Sequence, residues 1–110
     1  MILEQVILAI KPGFESECET ALTEAKEVIS QAAGFRSLTL RRSIERPSIY
    51  LLLNEWDTIE DHMVGFPESD LFVRWRGLIG PYFEADPKFN IFNCQSVAFR
   101  ASERWRSGWH

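Results

Sequence analysis

The stretch Ser48–Phe83, SIYLLLNEWDTIEDHMVGFPESDLFVRWRGLIGPYF, decides how this chain folds. Ile49 to Trp56 is apolar on both parities until Asn54 and Glu55, which predicts a central strand covered on two sides. Asp57-Thr58 then opens a short helix, with Thr58 at the N-cap and Asp61 in the reciprocal position. Gly65-Phe66-Pro67 ends that helix. Ser69 starts a second piece from Asp70 to about Ile79, carrying Leu71, Phe72, Trp75, Leu78 and Ile79 on one face. Gly80-Pro81 stops it. A strand that runs into two short aromatic-rich helices is a place where a pocket forms, and His62, the one histidine away from the C-terminus, lies inside it.

Working outward, Ile2 to Lys11 reads as a first strand. Val6, Leu8 and Ile10 share one parity with Ile2, interrupted by Glu4, while Leu3, Ile7 and Ala9 point the other way. Pro12-Gly13 breaks it. Phe14 to Ala33 reads as a helix, with Phe14, Cys18, Ala21, Leu22, Ala25, Val28, Ile29 and Ala32 at three-four spacing and Gly34 placed as its C-terminal cap. Phe35 to Ile44 is a second strand. The turn Glu45-Arg46-Pro47-Ser48 returns the chain antiparallel. Tyr82 to Lys88 is loop, and Phe89 to Val97 is the fourth strand.

The order is β-α-β-β-α-β with the second helix broken. It predicts an α+β, ferredoxin-like fold with both helices on one face of a four-stranded antiparallel sheet. The strands carry Leu, Ile and Val on both parities, so the opposite face needs a cover. A second copy of the sheet is the simplest one, which predicts a homodimer.

Composition narrows the classes. At 110 residues the chain is one domain, which we place at 1–99, followed by a 100–110 tail with Arg100, Arg104 and Arg106. The tail is expected to fray. A net charge of −4 offers no basic field for nucleic acid. No apolar run approaches the roughly 20 residues that span a membrane. The apolar start of the chain has no basic region before it and holds Glu4 and Gln5, so no signal peptide is expected. Cys18 and Cys94 form no metal-spaced pair and suit a reduced, cytoplasmic protein. No Gly-rich phosphate loop, HExxH zinc motif or GxSxG elbow occurs.

Two segments carry a resemblance to a known family: YLLLNEWDTIEDH, Tyr50 to His62, and SDLFVRWRGLIGPYF, Ser69 to Phe83. With the element order, they make residues 2–97 resemble the antibiotic biosynthesis monooxygenase-like proteins of the dimeric α+β barrel superfamily. The resemblance implies oxidation of anthrone-type polyphenols to quinones without flavin, haem or metal. It also implies that Trp56 matches the family's strand-end Trp and that His62 sits where some members place a substrate-bonding Tyr. Four residues before the Trp those members have Asn, whereas this chain has Leu52, with Asn54 nearby on the same parity. The haem-degrading relatives need a His on the second long helix, and LFVRWRGLIG has none.

The reading that follows is a cofactor-free monooxygenase acting on a flat aromatic small molecule. His62 would be the proton acceptor, the one internal side chain whose ordinary pKa lies near neutrality. Trp56 would stack or hydrogen-bond the ligand, with Asn54, Phe66, Phe72, Trp75 and Tyr82 around it. Two alternatives stand beside it on the same fold: a non-catalytic small-molecule binder, favoured by Leu52, and an isomerase or cyclase using His62 for proton transfer without oxygen. Each residue also has a plain structural role open to it. Trp56 can anchor strand to helix, Phe72 and Trp75 can be core, and Arg41, Arg42, Arg74 and Arg76 can be solvated surface.

Overall fold

The computed structural model describes residues 1–93; the sequence assignments on 94–97, on Cys94 and on the 100–110 tail lie outside them. The elements are β1 (Ile2–Ala9), α1 (Glu15–Ile29), β2 (Phe35–Arg42), β3 (Ile49–Trp56), a π-helical turn (Asp61–Gly65), α2 (Asp70–Ile79), a 3-10 turn (Gly80–Tyr82) and β4 (Lys88–Asn93). The strands form one antiparallel sheet in the order β2-β3-β1-β4, so the fold is the expected ferredoxin-like α+β arrangement.

The period of two decides which face each residue takes. In β1 the buried set is Glu4, Val6 and Leu8; in β3 it is Tyr50, Leu52, Asn54 and Trp56. These residues meet Cys18, Ala21, Leu22, Ala25, Val28 and Ile29 of α1, and Trp75 and Ile79 of α2, in one core. The alternate set, Leu3, Ile7, Leu51 and Leu53, is half-buried on the far face.

Three local expectations need correction. α1 is shorter than Phe14–Ala33. It begins at Glu15 and ends at Ile29, where Ser30 closes it with its backbone N–H and its hydroxyl both on the Lys26 carbonyl. Gly34 therefore does not cap α1. It adopts φ +78°, its carbonyl accepts from the Asp57 N–H at 2.7 Å, and a Cβ there would lie 2.0 Å from Asp61 Oδ2. Its missing side chain makes room for the turn that follows β3. Ser69 occupies the N-cap of α2, but its hydroxyl points backward, donating to the Phe66 carbonyl at 2.7 Å. Thr58 caps as expected, its Oγ1 accepting from the Asp61 N–H at 3.1 Å, while the Asp61 carboxylate answers to the Thr58 hydroxyl, accepting from it at 2.9 Å.

Candidate functional site

The site is built on the central strand pair. The β1–β3 register sets Glu4 directly opposite Asn54, both facing the helices. Both are buried, at 5% and 2% exposure, in a core otherwise composed of hydrophobic residues. A carboxylate in that setting must be hydrogen-bonded. Asn54 Nδ2 donates to Glu4 Oε1 at 3.1 Å, and the indole Nε1–H of Trp56 donates to the same oxygen at 3.1 Å.

The chain then delivers His62 to this pair. Thr58 and Asp61 pin the start of the turn, Gly34 lets Asp61 approach, and the widened π turn, closed by the Phe66 N–H on the Asp61 carbonyl, carries His62 inward. Turns of this kind recur at functional sites. His62 Nδ1 lies 3.4 Å from Glu4 Oε1, close enough to pair but without a formed hydrogen bond. Nδ1 is sealed from solvent and has no other partner; among the described residues, Asn54 Oδ1 is likewise a buried side-chain atom without one. The imidazole leans on the Trp56 ring at 5.8 Å, and Phe35 meets that indole edge-on from the other side at 5.2 Å.

In front of this group opens a cavity of about 840 Å³ between the sheet and α2, a size that suits a multi-ring small molecule. Glu4, Val6, Leu8, Leu52 and Asn54 form its floor. Phe66, Phe72, Trp75 and Ile79 form its roof, where Phe66 holds Phe72 and Trp75 in edge-on contacts at 5.4 and 6.2 Å. Phe83, Phe89 and Ile91 close the β4 side, and the charges beyond the floor are Arg76, Glu84 and Asp86. Among the described residues, no three His, Cys, Asp or Glu side chains gather as a metal-ligand set.

The fold thus brings Asn54, His62, Phe66, Phe72 and Trp75 into the wall of one cavity, with Asn54 in its floor and the three aromatics in its roof. Trp56 stands behind that wall at 0% exposure, with its N–H committed to Glu4, where it braces the site. Tyr82 lies outside the lining, its ring 6.4 Å from Phe14. The residue that sequence reasoning passed over is Glu4. It registered only as a break in an apolar parity, yet a carboxylate on the same face as Val6, Leu8 and Ile10 was itself a signal of a paired buried charge.

Comparison with known proteins places this geometry. A profile of the antibiotic biosynthesis monooxygenase family matches residues 1–77. The uncharacterized protein YczJ of Bacillus subtilis is 36% identical over 92 residues, covering 84% of this chain and 97% of its own. A crystal structure of a Bordetella bronchiseptica protein classed with the antibiotic biosynthesis monooxygenases superposes with a TM-score of 0.83 at 34% identity, covering 88% of this chain and 97% of that one. Two Streptomyces proteins share the fold at lower identity. SnoaB of Streptomyces nogalater, a cofactor-independent oxygenase, gives a TM-score of 0.73 at 12% identity, with 87% and 94% coverage. The ActVA-Orf6 monooxygenase of Streptomyces coelicolor, in complex with nanaomycin D, gives 0.73 at 17%, with 91% and 92% coverage.

Proposed function

The chain belongs to the antibiotic biosynthesis monooxygenase family, and from that premise we propose that it is a cofactor-free monooxygenase for a flat, hydroxylated aromatic of the anthrone or quinol type. The observation that carries the reading is the position of His62: at the wall of an aromatic-lined cavity of about 840 Å³, beside a buried carboxylate. His62 takes a proton from a phenol or an activated C–H of the ligand. The resulting electron-rich anion reduces dioxygen. For an anthrone, one oxygen atom stays as the new carbonyl of the quinone and the other leaves as water, so no external reductant is needed. Phe66, Phe72 and Trp75 supply flat apolar surface for the rings. A cofactor-independent oxygenase and a ligand-bound monooxygenase on the same fold support the reading.

A proton-transfer reaction without oxygen is the second reading, and one observation favours it. The donors expected to hold an oxygenated anion, the Trp56 N–H and the Asn54 amide N–H, both go to Glu4. An isomerase needs a proton acceptor more than it needs those donors.

We also propose that the chain works as a homodimer joined through the far face of the sheet, where Leu3, Ile7, Leu51 and Leu53 are half-covered and Phe92 is 47% exposed. A monomer by light scattering at micromolar concentration would reject the dimer. No helix among the described residues is long and apolar enough to cross a membrane, and we propose a cytoplasmic location.

The deciding experiment is oxygen uptake with a panel of anthrones and hydroquinones, without added cofactor, on wild type and His62→Ala. Uptake with an anthrone, giving quinone absorbance that disappears in His62→Ala, supports the oxygenase, whereas quinone and peroxide from a hydroquinone would mark an oxidase. Product formed equally well under argon establishes the isomerase. Wild-type turnover by His62→Ala removes His62 as the base.

A further inference from the structure

We propose that Glu4 is the positioning residue for His62: its Oε1 holds the imidazole with the proton on Nδ1, which leaves Nε2 as the basic nitrogen, and its charge stabilises the imidazolium once Nε2 has taken a proton. The inference rests on the reading of His62 as proton acceptor.

The argument is one of donors and acceptors. The indole N–H of Trp56 and the amide NH₂ of Asn54 can only donate, and both donate to Glu4 Oε1. With the carboxyl group ionised, that oxygen can only accept. His62 Nδ1 lies 3.4 Å from the same oxygen, sealed from water and without another partner. A lone pair on Nδ1 would face the lone pairs of Oε1 with nothing between them, which is the costly arrangement in a dry site. A proton on Nδ1 turns the same approach into an attraction, and a small tightening makes it a hydrogen bond, as often happens when a ligand closes a site.

The carboxylate is itself held. Glu4 is fixed by the strand register opposite Asn54 and by the buried indole, so it cannot swing away when the ring protonates. Transfer of a proton from substrate O–H or C–H to Nε2 leaves substrate anion and imidazolium, and Glu4 supplies the facing negative charge. The other charged groups nearby are Asp61 on the same turn, tied to Thr58, and Arg76, Glu84 and Asp86 on the cavity side of α2 and the segment after it. Asp61 is committed to Thr58, and Glu4, 3.4 Å from Nδ1, is the group that reads the tautomer of the imidazole.

The test reads the tautomer directly, without substrate. Long-range ¹⁵N–¹H correlation of the histidine rings at pH 8, with His62 distinguished from His110 by the spectrum of His62→Gln, is expected to show the proton on Nδ1 in wild type. In Glu4→Ala the proton moves to Nε2 or averages over both nitrogens. Should Glu4→Ala lose its fold, Glu4→Gln keeps the shape and an acceptor oxygen. It is expected to retain the tautomer but to lose about tenfold or more in kcat with KM near wild type, and Glu4→Asp to recover part of it. A wild-type proton on Nε2, an unchanged tautomer in Glu4→Ala, or full kcat in Glu4→Gln would each overturn the assignment. Oxygen uptake that survives in His62→Ala would instead remove the base reading while the Glu4-dependent tautomer stood.

Discussion

α1 and α2 cover the same face of one sheet, yet one seals what lies beneath it and the other leaves a cavity. Over β2 and β3, α1 presents the small buried side chains Cys18, Ala21 and Ala25, and the space is filled by Leu22, Val28 and Tyr50. Over β1 and β4, α2 presents Phe72 and Trp75 after a chain broken at Gly65-Phe66-Pro67, and the gap remains open as the cavity. The same contrast runs through the polar groups. The buried Tyr50 under α1 sends its hydroxyl to the half-exposed Glu19 at the edge, whereas Glu4 under α2 gathers its partners in the interior. A close-packed half thus supports a hollow half, and the elements that give up packing are the ones that make a site.

The largest effect expected from this contrast is on stability. Leu22→Ala removes a fully packed side chain from the closed half and is expected to cost about 2 to 4 kcal/mol in urea unfolding. Phe72→Ala removes a larger side chain, but one already half-facing a void, and is expected to cost less than about 2 kcal/mol. A reversed ranking would break the division into closed and hollow halves.

The next effect probes the seam between strand and site. Gly34→Ala must adopt a positive φ and force the Asp61 side chain aside, so it is expected to cost about 1 to 2 kcal/mol. The stronger consequence is local: Asp61 leaves Thr58, and the turn carrying His62 loses its anchor. The His62 ring resonances should shift in this variant more than in Leu22→Ala, although the stability loss is smaller. Equal shifts in both would show that the turn is held from elsewhere.

The closed half was the more legible of the two in the sequence. The three-four spacing from Cys18 to Ile29 and the Pro-Gly and Arg-Pro-Ser turns are local signals, and they place α1 and the β2–β3 hairpin without reference to distant residues. The ends of α1 were less so, because Ser30 closes the helix through its own hydroxyl and Gly34 serves a contact with a residue far along the chain. The site divides the same way. Asn54, His62, Phe66, Phe72 and Trp75 lie in one continuous segment whose pattern announces a pocket. Glu4 joins them only through the β1–β3 register, and nothing near Glu4 in sequence indicates that Asn54, Trp56 and His62 will converge on it. Trp56 and Tyr82 were placed by type; the fold puts the first behind the wall and the second against Phe14.

A pH effect of intermediate size belongs to the closed half. Burial, and then the neighbouring Glu19, push the Cys18 thiol up to about 11, and burial with the hydrogen bond to Glu19 raises the Tyr50 phenol above its ordinary value. Both are acids held neutral by the fold. The stability they contribute is present below their unfolded values of 9.0 and 10.0 and is lost as the pH climbs through them. In a Cys94→Ser background the urea midpoint should fall from pH 9 upward, and Cys18→Ala with Tyr50→Phe should flatten that fall. A native Cys18 that reacted with a thiol reagent at pH 8 as fast as in urea would show that α1 does not close over it.

The smallest effect lies at the outer edge of that half. Ser48 donates its hydroxyl to Glu15 Oε2 at 2.6 Å, and the Gly13 N–H donates to Oε1 at 2.9 Å, tying the start of α1 to the β2–β3 hairpin. The Ser48 bond first, and backbone N–H bonds after it, hold the Glu15 carboxyl below the usual value of 4.5. With a depressed folded value, the stability is present above 4.5 and is lost as the pH falls through the folded value. Ser48→Ala removes the main cause, so its urea midpoint at pH 7 should lie slightly below that of wild type, and the gap should close as the pH falls below 4.5. Because Glu15 faces solvent, water screens the bond and replaces much of what is lost. A gap at pH 7 comparable to the cost of Leu22→Ala would mean that this edge, and not the packed interior behind it, holds α1 on the sheet.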